Sequence, residues 1–151
     1  MNNTPIRIIL VDDHVLIRRS WKMLLQKNPA FHVVGDCGSG QEAIELTLQV
    51  LPDIMLLDIN MFPMGGYEVA EKIAEILPSV KIIGLSVNNK PKHAVKLVEL
   101  GARGYLTKTS TMDEICQGIL EVQEGNFYIC EEIIKSISAG EPMTGKFRNG
   151  D

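Results

Sequence analysis

The segment Ile54-Met55-Leu56-Leu57-Asp58 sets the fold class of this chain, because four apolar residues run directly into an acid. A short run of this kind is typical of a parallel strand that is buried on both of its faces. An ionised carboxylate at the end of a buried strand costs several kcal/mol of folding free energy unless a partner compensates it. The segment therefore predicts a central strand that carries a functional acid.

Four more short apolar runs occur at residues 7–11, 32–36, 81–86 and 104–107. Stretches with helical spacing of apolar residues separate them, at about 14–27, 40–51, 67–77, 90–101 and 112–124. Leu51-Pro52, Leu77-Pro78 and Leu100-Gly101 end three of these helices, because proline lacks a backbone donor and glycine tolerates a left-handed cap. The alternation predicts an α/β fold, a doubly wound five-stranded parallel sheet of the flavodoxin-like (βα)5 type.

Length and composition favour one domain, which we place at residues 1–128 of the 151. Residues 129–151 are expected to form a short helix, at about 130–137, and a linker-like tail. No apolar run approaches the ~18 residues of a membrane span, and the first five residues lack an export signal, so we expect a cytoplasmic protein without membrane contact. A net charge of -4 argues against direct binding to nucleic acid. The three cysteines are widely spaced and are expected to be reduced, packed thiols.

Polar side chains follow four of the predicted strands at the point where each strand ends. They are Asp12 and Asp13, Asp58, Ser86 and Lys108. The carboxyl ends of parallel strands meet at one edge of a sheet, so three carboxylates should converge there and repel one another. A hard divalent cation with oxygen ligands relieves this repulsion, and Mg²⁺ is the natural candidate. With a lysine and a hydroxyl nearby, the set is suited to phosphoryl transfer onto an aspartate.

Other interpretations exist for single residues and for the whole site. Asp12 and Asp13 could cap the following helix. His14 could be an ordinary polar residue of its first turn, and Tyr105 a half-buried strand residue. A phosphatase with an aspartyl nucleophile would require a second acid at position 60, where this chain has Asn60. A flavin-binding module would require a phosphate loop after strand one, where two acids stand instead.

Four segments resemble, in order and spacing, the motifs of the response-regulator receiver family, and specifically its NarL/FixJ-like branch. They are Ile8-Ile9-Leu10-Val11-Asp12-Asp13-His14, Leu56-Leu57-Asp58-Ile59-Asn60-Met61, Leu85-Ser86 and Gly104-Tyr105-Leu106-Thr107-Lys108. The resemblance extends from residue 6 to about residue 130. Each motif alone is weak, but the four together are highly specific.

The resemblance implies that Asp58 is the phosphoacceptor and that Ser86 and Lys108 contact the phosphoryl group. It also implies that Tyr105 is an aromatic residue that moves inward when Ser86 moves. The implied Mg²⁺ ligands are Asp12, Asp13, Asp58 and the main-chain carbonyl of Asn60. The domain would be a signalling module that assists its own phosphorylation and dephosphorylation, and not an enzyme with a separate substrate.

The resemblance also implies partners and reveals two departures from the family pattern. A sensor histidine kinase would phosphorylate the chain, a homodimer could form, and a helix-turn-helix output domain outside this sequence would bind DNA and control transcription. The loop after the acceptor, Met61-Phe62-Pro63-Met64-Gly65-Gly66, has a displaced proline and Gly65 at a position where the family usually has a polar residue. Thr109 follows Lys108 where a proline is more widespread, which predicts a more mobile loop.

Overall fold

Six parallel strands form a single sheet in a computed structural model that describes residues 4–145. The strands are β1 (Ile6–Val11), β2 (Phe31–Cys37), β3 (Ile54–Asp58), β4 (Lys81–Ser86), β5 (Gly104–Thr107) and β6 (Tyr128–Ile129). The helices are α1 (Val15–Gln26), α2 (Gly40–Val50), α3 (Gly66–Ile76), α4 (Pro91–Glu99), α5 (Met112–Gln123) and α6 (Glu131–Ser138). The strand order is β2-β1-β3-β4-β5-β6.

The predicted α/β fold is confirmed, and β3, β4 and β5 begin and end at the predicted residues. All five residues of β3 are buried, which requires cover on both faces of the sheet. Gly101 has a φ of 111°, so the left-handed conformation expected after α4 is present. Leu51, at the end of α2, also has a positive φ of 48°, which the sequence did not predict for a leucine.

The prediction of five strands was one strand short. The sixth strand, β6, pairs in parallel with β5 and covers an edge that would otherwise be open. The backbone N–H of Tyr128 donates to the carbonyl of Arg103, and that of Cys130 donates to the carbonyl of Tyr105. A strand of two residues is too short to show any periodicity, and for this reason sequence pattern does not reveal it.

The predicted short helix near residues 130–137 is present as α6. Cys130 and Ile133 are fully buried, so this helix packs on the domain. The boundary at residue 128 stays a prediction, and residues 146–151 of the expected tail lie outside the described residues. None of the helices between residues 4 and 145 combines the length and apolar character that a bilayer span requires.

Candidate functional site

The carboxyl ends of β1, β3, β4 and β5 meet at one edge of the sheet. Neighbouring strands run parallel, and their last residues pair with one another to within one position. Asp12 follows β1, Asp58 ends β3, Ser86 ends β4 and Lys108 follows β5. Asp12, Asp58 and Ser86 are buried, although carboxylates and hydroxyls are usually exposed. The structure therefore brings together the side chains that the sequence predicts to meet.

The carboxylate of Asp58 is 0% exposed and its two oxygens differ in environment. One oxygen, Oδ1, accepts the backbone N–H of Asn60 at 2.9 Å. The other, Oδ2, is buried without a hydrogen-bond partner and lies 3.3 Å from the Nζ atom of Lys108. Burial raises the pKa of Asp58, and the nearby charge of Asp12 adds to this, against opposing contributions from Asn60 and Lys108. Oδ2 is thus the carboxylate oxygen of Asp58 that accepts no hydrogen bond.

Lys108 bridges the two buried carboxylates. Its Nζ atom donates to Oδ2 of Asp12 at 2.9 Å, and only 11% of its side chain is exposed. Burial alone would raise the pKa of Asp12, but hydrogen bonds from the backbone of His14 and from Lys108 outweigh it and lower that pKa. Asp12 is therefore held ionised beside Asp58, with the lysine between them.

Within residues 4–145, one group of side chains has the composition and spacing of a metal site. Ligand atoms of Asp12, Asp13, His14 and Asp58 all lie within 4.8 Å of one another. Three carboxylates, one of them with a buried oxygen that accepts no hydrogen bond, suit a hard divalent cation such as Mg²⁺. The described contacts of Asn60 involve its backbone N–H and its side chain, so a role for its main-chain carbonyl stays a prediction.

His14 contacts both neighbouring acids, although it could have been an ordinary polar residue of the first helical turn. Its Nδ1 atom is 3.0 Å from Asp12 and 3.2 Å from Asp13, although more than half of its side chain is exposed. His14 is itself the N-cap residue of α1, and no side chain caps this helix. The two acids therefore face the site and do not cap α1.

Arg18 is a supporting residue that sequence reasoning missed. Its Nη1 atom donates to the main-chain carbonyl of Asp12 at 2.6 Å, and its Nε atom donates to Asp36 at 2.8 Å. Because Asp36 lies on β2, no spacing along α1 could have revealed this pair. Arg18 fixes the backbone that carries Asp12.

A continuous hydrogen-bond chain runs from Asp58 to Tyr105. Asn60 donates its backbone N–H to Asp58 and accepts the hydroxyl of Ser86 at 3.0 Å on its side-chain oxygen. The Ser86 oxygen accepts the backbone N–H of Asn88 at 2.9 Å, and the Tyr105 hydroxyl donates to the Asn88 carbonyl at 2.9 Å. The sequence did not reveal that these two asparagines connect the site to Tyr105.

Tyr105 is fully buried, and not half buried at a sheet edge, because β6 lies outside β5. Burial raises the pKa of its hydroxyl. Its inward movement stays a prediction, and the ring is already inside the domain in this structure.

The two departures from the family pattern have distinct structural counterparts. In the loop after β3, Gly65 is the N-cap of α3 and gives it no side-chain cap. A Cβ atom at Gly66 would collide with the backbone of Ile59, so this close approach requires glycine. Thr109, where we predicted a more mobile loop, donates a hydrogen bond to Glu132 at 3.0 Å.

Comparison with known proteins matches residues 8–120 to the response regulator receiver domain family. The chain is 32% identical over 137 residues to the transcriptional regulatory protein DegU of Brevibacillus brevis, across 91% of this chain and 58% of that protein. It is 33% identical over 138 residues to the nitrate/nitrite response regulator protein NarL of Escherichia coli strain K12, across 91% of this chain and 64% of that protein. The chain thus spans about 58 to 64% of the length of these relatives.

A solved structure, that of a LuxR-family two-component response regulator from Aurantimonas sp. SI85-9A1, superimposes with a TM-score of 0.86 at 29% identity. The match covers 90% of this chain and 97% of that one. Family, relatives and fold agree with the four motifs and with the converged acids. The chain belongs to the response regulator receiver domain family, with relatives of the NarL and DegU type, and is a signalling domain of two-component systems.

Proposed function

We propose that the chain accepts a phosphoryl group on Asp58, in a reaction that requires Mg²⁺, and that the modified state is read by an output domain. The observation that carries this proposal is the Oδ2 atom of Asp58, which is buried, has no hydrogen-bond partner and lies 3.3 Å from the Lys108 ammonium. A buried carboxylate oxygen of this kind is costly for stability, and its use as a nucleophile explains its presence.

The proposed Mg²⁺ ligands are the carboxylates of Asp12, Asp13 and Asp58, with the main-chain carbonyl of Asn60. The convergence of the three acids within 4.8 Å supports this set. When bound, Mg²⁺ would offset the acidic charge and take a phosphoryl oxygen as a ligand. His14 contacts two of the acids and is expected to move away from them on loading.

The proposed chemistry places each remaining side chain in one role. A lone pair of Asp58 Oδ2 forms the new O–P bond, and the bond from phosphorus to the donor breaks with its electron pair left on the donor. Lys108 then neutralises charge on the phosphoryl oxygens. The Ser86 hydroxyl has one proton, which it now donates to Asn60, so it must leave Asn60 in order to donate to a phosphoryl oxygen.

The proposed phosphodonor is a sensor histidine kinase, and apolar side chains around the site support docking of a partner. Phe62, in the loop after β3, is 84% exposed, and Leu16 of α1 and Val87 after β4 are 80% and 76% exposed. Each of the three follows the carboxyl end of a strand at the edge that carries Asp58, and exposed apolar residues beside a reactive group are typical of interaction surfaces. Phe62 belongs to the loop after β3 that differs from the family pattern, so it is suited to select the cognate kinase.

Transcriptional control is part of the proposal, because DegU is a transcriptional regulatory protein and this chain matches 58% of its length. DNA would be bound by a helix-turn-helix output domain and not by the residues present here, whose net charge is -4. A homodimer and a cytoplasmic location remain predictions from the family resemblance and the sequence.

The chain should gain the mass of one phosphoryl group from acetyl phosphate when Mg²⁺ or Mn²⁺ is present, and none in EDTA. Without a divalent ion, the acids repel an anionic donor and leave the phosphoryl charge uncompensated. Intact-mass spectrometry over a time course makes the measurement. Equal gain of mass in EDTA would contradict a metal-dependent site.

Ser86→Ala should keep the gain of mass but lose the change at Tyr105. The hydroxyl links Asn60 to Asn88, so its removal breaks the hydrogen-bond chain between Asp58 and the tyrosine. Backbone amide shifts of Tyr105 and α4 on addition of Mg²⁺ and beryllofluoride, a phosphoryl mimic, are the measurement. The exposed Ser79→Ala is the control and should respond as the unchanged chain does. If the amide shifts of the unchanged chain changed only in the loop after Asp58, the proposed response of Tyr105 would be refuted.

A further inference from the structure

The carboxylate of Glu132, on α6, accepts hydrogen bonds from the hydroxyls on both sides of Lys108. Its Oε1 atom lies 3.0 Å from the Thr109 hydroxyl and 3.4 Å from the Thr107 hydroxyl. The two hydroxyls are themselves 3.1 Å apart. One oxygen of α6 thus holds the residues that precede and follow the lysine of the site.

Glu132 is held by a helix that is anchored by other residues. Ile133, beside it, is 0% exposed, and Cys130 continues the pairing of β6 with β5 through its bond to Tyr105. The backbone N–H of Glu131 donates to Glu114 of α5 at 2.8 Å. The position of Glu132 is therefore set by the packing of α6, and its carboxylate can act as a fixed point for the loop.

The segment that carries Lys108 is also hydrogen-bonded to β4, so the contact with Glu132 restricts the position of the lysine relative to the site. The backbone N–H of Lys108 donates to the carbonyl of Ser86 at 2.8 Å, and Thr107 pairs with Ser86 in the sheet. A lysine side chain has four rotatable bonds, so the place of its ammonium group between Asp12 and Asp58 depends on a defined backbone. By accepting the hydroxyls of Thr107 and Thr109, Glu132 restricts the backbone conformation on both sides of the lysine.

We propose that Glu132 is a positioning residue for Lys108, and that through it the docking of α6 and the phosphorylation of Asp58 are coupled. This inference rests on the proposed phosphoacceptor function. Docked α6 holds Lys108 where it meets the phosphoryl group, so the occupied site favours docked α6 in return, since coupling between two binding equilibria is reciprocal. A segment that follows the receiver core thereby senses the state of the site.

Glu132→Ala should slow the gain of phosphoryl mass from acetyl phosphate, with Mg²⁺ present, by about fivefold, or roughly 1 kcal/mol at 1.36 kcal/mol per tenfold. Glu132→Gln keeps an acceptor oxygen for the two hydroxyls and should restore most of the rate. Glu131→Ala is a matched control, because Glu131 also lies in the first turn of α6 but its carboxylate is exposed and forms an ion pair with Lys135 of the same helix. It should react as the unchanged chain does.

A double-mutant cycle tests the route through the loop. Thr109→Val removes one of the two donors, so Glu132→Ala should cost clearly less in this background than in the unchanged chain. Equal costs in both backgrounds would show that Glu132 does not act through Thr109 and would overturn the proposed route.

Hydrogen–deuterium exchange of residues 128–138 measures whether α6 responds to the occupied site. A purely structural role of Glu132 would not make that response depend on its side chain. Exchange in α6 should slow when Mg²⁺ and beryllofluoride are added to the unchanged chain and to Glu131→Ala, but not when they are added to Glu132→Ala. Equal rates and equal exchange in the two alanine variants would overturn the inference and leave the proposed function intact. Absence of any phosphoryl gain in the unchanged chain would overturn both.

Discussion

Asp58→Asn should gain no phosphoryl mass from acetyl phosphate under conditions in which the unchanged chain is fully modified. An amide has no anionic oxygen with which to form an acyl phosphate, so the expected loss is complete. The oxygen concerned is the buried Oδ2 atom, which has no hydrogen-bond partner and forms an ion pair with Lys108. Intact-mass spectrometry with Mg²⁺ present is the measurement.

The same variant should remain folded. Burial raises the pKa of Asp58, so its ionised form opposes folding at neutral pH, and the stability that its protonated form contributes is lost as pH rises through the folded pKa. Asparagine removes that charge, so the urea midpoint at pH 7 without metal should not fall. Asp113→Asn, in the first turn of α5, is the control and should be modified fully. Full modification of Asp58→Asn would contradict the assignment of the acceptor.

Lys108→Met should lower the free energy of unfolding in metal-free buffer by about 2 kcal/mol, less than the ~3–5 kcal/mol typical of a broken buried ion pair. A solvent-exposed lysine contributes little to stability. The structure shows instead that 11% of this side chain is exposed and that it meets two buried carboxylates. The cost is reduced because Asp58 can take up a proton.

Urea unfolding with and without Mg²⁺ measures this effect. Mg²⁺ should restore part of the lost stability, because it supplies positive charge to the same carboxylates. Lys135→Met removes an exposed lysine of α6 and should change stability by less than about 0.5 kcal/mol. The Lys108 variant should also lose the Tyr105 response to beryllofluoride. An unchanged unfolding free energy would show that Asp12 and Asp58 do not depend on the charge of Lys108.

The fold and the membership of the site were predictable from sequence for one physical reason. A strand buried on both faces must be apolar throughout, so the run before Asp58 identifies a central parallel strand. In a parallel sheet the carboxyl ends of neighbouring strands lie at one edge, so residues that end separate strands must meet. The proximity of Asp12, Ser86 and Lys108 to Asp58 could therefore be predicted from strand ends alone, before any side-chain contact was known.

The sequence by itself determined five of the six strands, the six helices and the set of acids at the sheet edge, whereas only the tertiary structure decided which atoms bond to which. Periodicity reports the burial of a residue but not its partner, and the bonds that shape this site join residues far apart in the chain. Lys108 and Asp12 are 96 positions apart, and Thr109 and Glu132 are 23 apart. The burial of Lys108 and the attachment of α6 to its loop follow from how helices and strands pack, because a hydrogen bond requires that two groups meet within about 3 Å at a suitable angle.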